Sequence, residues 1–212
     1  MLSWGAAVAR LVEFAETGRR VVVGIAGQPG AGKSTFADWL VEQATVPVAL
    51  VPMDGFHRTN AELERLGLLS RKGAPETFDL PGYLNLLRRL RDDDGTAVVA
   101  PVFDRVVDEP IEDGITIAPA ARVVVTEGNY LLHDQDGWHQ VAEHLDEIWW
   151  LSCADDERGR RLVERHQAFG RSAADAAEFV ARSDQANATL IAGNHHHANF
   201  ILHSQTPHPT PT

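Results

Sequence analysis

The 212-residue sequence lacks several features that would place it in other classes of protein. It has one cysteine, Cys153, so no internal disulfide can form. No apolar run approaches the roughly 20 residues that a membrane-spanning helix needs, and the N-terminus shows no signal-peptide pattern. We therefore expect a cytoplasmic protein without a membrane partner.

Basic residues are scarce, and lysine is rarest among them. The 19 lysines and arginines stand against 30 acidic residues, which gives a formal net charge of -11. This balance argues against a nucleic-acid partner, because such partners need a basic surface. Only Lys33 and Lys72 are lysines. An anionic ligand must therefore be bound by locally placed groups, and the acidic surface leaves a homodimer open.

Apolar strand-like segments alternate with segments of helical periodicity. Strands apolar on both faces are predicted at residues 20–26, 122–126 and 147–151, and further strands at 47–51 and 198–202. Residues 96–103 and 115–117, joined by an acidic loop, predict a hairpin. Helices are predicted within residues 1–18, from the glycine-rich segment to residue 44, and at 81–91, 155–168 and 173–192, with an irregular or partly helical lobe at 58–79. The pattern predicts an α/β fold with a doubly wound, mainly parallel sheet and helices on both faces. We expect one domain over residues 1–202 and a disordered tail at 203–212.

A glycine-rich segment between the first strand and the next helix fits the spacing G-x-x-x-x-G-K-[ST] of a phosphate-binding loop, which predicts a P-loop NTPase fold. Glycines allow the backbone N–H groups to approach phosphates, and the following helix presents its positive end to them. Lys33 would reach the outer phosphates of ATP, and the Ser34 hydroxyl would bind Mg²⁺. The predicted nucleotide-binding residues are Gly27, Pro29, Gly30, Ala31, Gly32, Lys33, Ser34 and Thr35.

Two motifs of other nucleotide-binding classes are absent from the sequence. Neither lysine follows an asparagine, as the guanine-reading Asn-Lys-x-Asp of small GTPases requires, and there is no Leu-Ser-Gly-Gly signature of transporter ATPases. A short chain with acids at the strand ends fits a small-molecule kinase better.

Two carboxylates follow predicted parallel strands. Asp54 comes after the second strand and Glu127 after the third, so both should face the crevice that contains the phosphate loop. Asp54 could accept the proton of an attacking hydroxyl or contribute to a Mg²⁺ site, and Glu127 is the expected metal ligand beside Ser34. The alternatives are a turn aspartate and a loop acid without a catalytic role.

Arginines are the expected partners of the transferred phosphate. Arg158, Arg161 and Arg165 share one face of the predicted helix 155–168, where a lid could bring them to a phosphoryl group. We expect at least one of Arg161 and Arg165 to be catalytic, although acidic neighbours could pair with them instead. Arg105 could orient an anionic or polyhydroxyl substrate, or form an ion pair with Asp104 or Asp108.

Five segments together resemble the phosphoribulokinase, uridine kinase and pantothenate kinase superfamily. They are the phosphate loop, Pro-Met-Asp-Gly-Phe-His at 52–57, Arg-Lys-Gly-Ala-Pro-Glu-Thr-Phe-Asp at 71–79, residues 101–105 and Glu-Gly-Asn-Tyr-Leu-Leu at 127–132. The Asp-Gly-Phe-His and Glu-Gly-Asn-Tyr forms look most similar to a bacterial branch named fructose transport system kinases or nucleoside/nucleotide kinase family proteins. The chain departs from uridine kinases by His166, where they usually have Asp, and by lacking Asp-Ser-Phe-Tyr.

The resemblance implies an ATP:alcohol phosphotransferase that uses ATP and Mg²⁺. It places Asp54 at the general-base position, Glu127 at a metal and substrate position, and Arg161 and Arg165 at the two arginines of the lid helix. Catalysis is then expected from Asp54, Lys33, Arg161 and Arg165, and metal binding from Ser34, Glu127 and Asp54. The expected substrate contacts are Asp54, His57, Arg105, Glu127, Asn129 and Tyr130.

The predicted acceptor is the hydroxyl of a small polar metabolite, above all a sugar. A nucleoside or a pantothenate-like compound is the alternative substrate. A hypothesis of another class is a regulatory module that binds ATP without transferring its phosphate.

Overall fold

The computed structural model describes residues 1–204 and contains a central sheet of five parallel strands. Their spatial order is β2-β5-β1-β6-β7, and their bounds are Val21–Ala26 (β1), Val48–Pro52 (β2), Val123–Gly128 (β5), Glu147–Ser152 (β6) and Phe200–His203 (β7). The predicted α/β fold with a mainly parallel sheet is thus confirmed. The disordered tail predicted from residue 203 does not begin there, because His203 is the last residue of β7; residues 205–212 lie outside the described residues.

Helices cover both faces of the sheet. Their bounds are Trp4–Ala15 (α1), Lys33–Gln43 (α2), Asn60–Leu66 (α3), Leu80–Asp92 (α4), His139–Glu143 (α5), Asp155–Ala168 (α6), Ala173–Phe179 (α7) and Gln185–Ala192 (α8). Among the residues described, no helix combines the length and the apolar character needed to cross a membrane.

Successive side chains of β1 point to opposite faces of the sheet and contribute to two hydrophobic cores. Val21, Val23 and Ile25 pack with α1 and α2 on one face of the sheet, whereas Val22 and Ala26 pack with α4 on the other. Successive side chains of a strand point to opposite faces, so a strand covered on both faces is apolar at every position. The result is the predicted three-layer arrangement of helices, sheet and helices.

The hairpin lies beside the central sheet as a separate two-stranded antiparallel sheet. Its strands are Val98–Asp104 (β3) and Glu109–Ile117 (β4), so most of the expected acidic loop belongs to β4. Only residues 105–108 form the turn. The register shifts between Ala100 and Val102, where β3 is irregular.

The helix predicted over residues 173–192 is not continuous. A π-helical segment, Val180–Asp184, separates α7 from α8. Such wider turns are rare and often occur at functional sites. Here the segment ends at Asp184, whose side chain is mostly buried at the wall of the main cleft.

Candidate active site

The phosphate loop joins the end of β1 to the start of α2. Gly30 and Gly32 adopt φ values of 79° and 91°, a region that favours glycine. A Cβ atom at Gly27 would lie 2.7 Å from the carbonyl oxygen of Leu151, so the loop also passes too close to β6 for a side chain. The predicted loop residues therefore have the backbone conformations and close packing that a phosphate-binding turn requires.

Arg158 of α6 fixes the position of this loop through hydrogen bonds. Its side chain is 1% exposed, and its guanidinium donates to Pro29 O at 3.0 Å and to Gln185 Oε1 at 3.1 Å. The Gln28 side chain donates to Ala188 O at 3.2 Å, so the loop is joined to both α6 and α8. The sequence placed Arg158 on the lid helix; its guanidinium contacts the loop backbone and Gln185, and it also forms an ion pair with Asp155 at 3.0 Å.

Lys33 is a buried cation whose hydrogen bonds go to uncharged oxygens. Its Nζ donates to Asn129 Oδ1 at 2.7 Å and to Gln28 O at 3.2 Å. Burial lowers the pKa of Lys33 to about 8, although the charges of Glu127 and Asp54 oppose the shift. A phosphate would supply the full negative charge that these neutral partners do not provide.

Ser34 and Glu127 meet at the floor of the cleft. The Ser34 hydroxyl donates to Glu127 Oε1 at 2.7 Å, and Glu127 is 4% exposed. Burial, together with the charge of Asp54, raises the pKa of the Glu127 carboxyl above its usual range. A cation beside this carboxylate would stabilise its charged form.

Asp54 lies in the short 3₁₀ turn Met53–Phe56 that follows β2. Its Oδ2 accepts a hydrogen bond from Arg105 Nη2 at 3.0 Å. Gly55 permits this arrangement, because a Cβ atom there would lie 2.3 Å from Pro101 O of β3. The carboxylate predicted to act as a base is thus paired with the arginine predicted to contact substrate.

His57 forms part of an aromatic wall. Its ring stacks on Phe78 with centroids 4.0 Å apart and lies 4.9 Å from the ring of Phe103. Burial lowers the pKa of His57 to about 4, so the imidazole is neutral at pH 7.

The two lid arginines have different surroundings. Arg165 lines the cleft, and its Nη2 lies 4.0 Å from Asp184 Oδ1. Arg161 is absent from the cleft lining; it donates to Ser204 Oγ at 2.8 Å, to Glu157 Oε1 at 2.8 Å and more weakly to Ala31 O at 3.4 Å. The structure therefore brings Arg165, and not Arg161, to the other predicted catalytic groups.

Tyr130 is placed away from the cleft surface. It is fully buried, packs at the edge of Phe78, and its hydroxyl donates to Gly73 O. The expectation that Tyr130 contacts substrate is not met in this conformation, because its side chain points into the apolar core. Asn129 does line the cleft and accepts the hydrogen bond of Lys33.

These groups surround one open cleft of about 980 Å³. Sequence reasoning missed several of its lining residues, including Lys72, Phe78, Phe103, Asp184 and Asn187. Lys72 was detectable as one of only two lysines. No local pattern indicated Asp184, since its position depends on the π-helical segment.

The residues at the floor of the cleft fit a magnesium ion that arrives with a nucleotide. Within residues 1–204, no group of three or more His, Cys, Asp or Glu side chains could hold a metal by itself. Mg²⁺ typically uses one or two carboxylates together with phosphate oxygens and water. Ser34, Glu127 and Asp54 provide such a partial set.

A phosphate loop after the first strand of a parallel sheet, facing strand-end acids across an open cleft, defines a kinase with the P-loop fold. The family model described as "Phosphoribulokinase / Uridine kinase family" matches residues 22–208, and the chain belongs to this family.

Relatives extend this classification. The chain is 35% identical over 189 residues to the "Uncharacterized protein YggC" of Escherichia coli K12, covering 87% of this chain and 78% of that protein. It is 39% identical over 112 residues to a pantothenate kinase of Nocardioides sp., covering 50% of this chain and 34% of that enzyme. A crystal structure named "putative fructose transport system kinase", from Silicibacter sp. TM1040, superposes with a TM-score of 0.84 at 35% identity, covering 92% of this chain and 98% of that chain.

Proposed function

We propose that the protein transfers the γ-phosphoryl group of ATP to a hydroxyl of a small sugar or sugar-like alcohol. The observation that carries this proposal is the convergence of Lys33, Asp54 and Glu127 in one cleft large enough for two small molecules. The similarity to a structure named as a fructose transport system kinase supports a sugar as the acceptor.

Each group has a defined role in the proposed reaction. The acceptor oxygen forms a bond to the γ-phosphorus while the bond from that phosphorus to the bridging oxygen of ADP breaks. Asp54 takes the hydroxyl proton, and Lys33 and Arg165 neutralise charge on the phosphoryl oxygens. Mg²⁺, when bound, offsets the negative charge of the nucleotide phosphates, and Ser34, Glu127 and Asp54 are the residues that would hold it.

Arg105 has a specific relation to the proton transfer. Its guanidinium donates to Asp54 Oδ2 and so fixes the orientation of the carboxylate. The other carboxylate oxygen remains available for the acceptor hydroxyl. We expect Arg105 to orient Asp54 and, through its remaining donors, to contact the polar groups of the acceptor.

A nucleoside is the second candidate acceptor. His57, Phe78 and Phe103 form an aromatic wall on which a base could stack. The name of the matching family model includes uridine kinase, which agrees with this alternative. An ADP-release assay with sugars, nucleosides and pantothenate distinguishes the two candidates by which compound stimulates turnover.

Replacing Asp54 by Asn tests the proposed base. The amide has nearly the same shape but cannot take the proton, so kcat should fall by about 100-fold or more, while the Kd for ATP measured without Mg²⁺ stays within about twofold. The measurements are ADP release with the stimulating compound and calorimetric ATP binding.

Asp113→Asn is the matched control, because Asp113 is exposed on β4 and its φ of 53° suits asparagine. Unchanged turnover in Asp54→Asn would refute the base assignment. Saturable ATP binding without stimulation by any compound would instead favour a regulatory module.

A further inference from the structure

Lys72 lies in a compact cage of oxygen atoms at the acceptor side of the cleft. Its Nζ donates to Asn60 Oδ1 at 2.7 Å, to Asp108 Oδ2 at 2.8 Å and also to the backbone carbonyl of Asp108. The side chain is 15% exposed, and the ammonium lies 5.2 Å from the centroid of the Phe103 ring. Three acceptor oxygens around one point match the three donors of an ammonium group, whereas a planar guanidinium would not fit them. This explains a lysine at this position in a chain whose other basic residues, apart from Lys33, are arginines.

The cage joins three segments that are distant in the sequence. Asn60 begins α3, Lys72 follows the 3₁₀ turn Leu69–Arg71, and Asp108 ends the turn between β3 and β4. The Asn60 backbone amide also donates to Glu109 Oε1 at 3.0 Å, which fixes the first residue of β4. Asp108 has a φ of 56°, a conformation that costs free energy and that its contacts with Lys72 and Asn60 offset.

The hairpin turn held in this way also includes Arg105, three residues before Asp108. Arg105 Nη2 donates to Asp54 Oδ2 at 3.0 Å, and Arg105 is the basic residue that pairs with Asp54 in the described structure. Val106, the next residue, is 90% exposed, so no apolar packing holds the tip of the turn in place. The position of Arg105 therefore depends on polar contacts: Asp104 Oδ1 accepts from the amides of Val106 and Val107, and Lys72 makes two hydrogen bonds to Asp108.

We propose that Lys72 is a positioning residue that fixes the β3–β4 turn so that Arg105 meets Asp54 at the acceptor site. Lys72 acts through Arg105 and does not itself touch the reacting atoms. The catalytic part of this inference rests on the proposed function, whereas the immobilisation of the turn does not.

The first test uses trypsin and needs no substrate. Trypsin cleaves after Arg105 only when the turn opens, so Lys72→Met should raise the rate of cleavage between Arg105 and Val106 by about fivefold or more. Arg71→Met is the matched control, because Arg71 is adjacent, exposed and paired only with Glu76 in the described structure. Its cleavage rate at Arg105 should equal that of the wild type.

A second variant distinguishes loss of the cage from general loss of structure. Asp108→Asn weakens the same cage from the opposite side and keeps a residue type that tolerates the observed φ. It should increase cleavage after Arg105 by a smaller factor than Lys72→Met, with the melting temperature near that of the wild type. Wild-type cleavage rates in both variants would overturn the proposal.

The second test uses the acceptor identified by ADP release. Lys72→Met should lower kcat/KM for this acceptor by about tenfold and leave the Kd for ATP within about twofold. Because Lys72 acts through Arg105, Lys72→Met combined with Arg105→Met should be no slower than Arg105→Met alone. Additive losses would show a direct contact between Lys72 and substrate and would overturn the positioning role.

If no compound stimulates ADP release, the proposed kinase function fails, and the trypsin result still decides whether Lys72 fixes the turn.

Discussion

Lys33 illustrates how burial at a single residue prepares a site for an anion. Its ammonium is enclosed by neutral oxygens and by two more distant carboxylates, and the net result is a pKa of about 8. A neighbouring phosphate would favour the charged form and so raise this pKa. Phosphate binding and the protonation of Lys33 are therefore linked.

This linkage predicts a pH dependence of ATP binding. Lys33 loses its proton as the pH rises through about 8, so the Kd for ATP should increase above that pH by up to about tenfold per pH unit. Calorimetric titrations between about pH 7 and pH 9.5 measure the effect. Lys33→Met should bind more weakly and show no such dependence, and a flat wild-type profile would contradict the lowered pKa.

At the scale of elements, the phosphate loop depends on α6 and α8 for its shape. A Cβ atom at Gly30 would lie 2.8 Å from both Arg158 O and Leu162 Cγ, so α6 packs directly on the backbone of the loop. Arg158 of α6 donates hydrogen bonds to the loop and to α8, and Gln28 of the loop donates one to α8. The helix that carries the lid arginines, α6, thus also determines the position of the loop amides.

Gly30→Ala should therefore lower the affinity for ATP more than a glycine-to-alanine substitution outside the loop does. The added methyl group meets the α6 backbone and also opposes a φ of 79°, so ATP affinity should fall by about tenfold or more.

The control for this variant is Gly67→Ala, at the end of α3. There φ is 70° but no atom lies within 4 Å of the added carbon. We expect a stability loss of about 1 kcal/mol and an unchanged Kd for ATP. Equal ATP affinities in the two variants would argue against close packing of α6 on the loop.

Sequence patterns predicted those parts of the site that depend on local chemistry. The loop spacing located Lys33 and Ser34, and the rule that parallel strands end at one edge brought Asp54 and Glu127 together. Three of the five parallel strands, β1, β5 and β6, were found as runs apolar on both faces, because strands buried on both faces favour apolar side chains throughout.

Tertiary packing determined what the patterns could not show. Arg161 and Arg165 are one helical turn apart, yet only Arg165 lines the cleft, because α6 rests against the phosphate loop at the level of Arg161. Tyr130 follows Asn129, but its ring points into the core. The cage around Lys72 requires three segments whose meeting depends on how the hairpin packs.

At the scale of the whole molecule, the cleft brings together elements that are distant in the sequence. The nucleotide loop contacts α2, α6 and α8, while the acceptor wall is built from the turn after β2 and from the hairpin. A ligand that binds only the folded protein stabilises all of these elements together.

ATP should accordingly protect the protein against heat. At a concentration of about 100 times its Kd, ATP adds about 2.7 kcal/mol of stability, which corresponds to roughly 5–10 °C for a chain of this size. Differential scanning fluorimetry with and without ATP and Mg²⁺ measures the shift. Lys33→Ala should show a much smaller one, and an equal shift would place nucleotide binding outside the phosphate loop.

The distribution of charge has a consequence for how a nucleotide arrives. Six lysines and arginines and four carboxylates line the cleft, although the whole chain carries a formal net charge of -11. A nucleotide polyanion is therefore repelled by the distant field of the protein and attracted only within about 8 Å, the screening length at physiological ionic strength. Moderate salt screens the long-range repulsion more than the short-range attraction. Encounter should thus be fastest at intermediate ionic strength, unlike the steady decline with salt that is seen for basic proteins that bind anionic polymers.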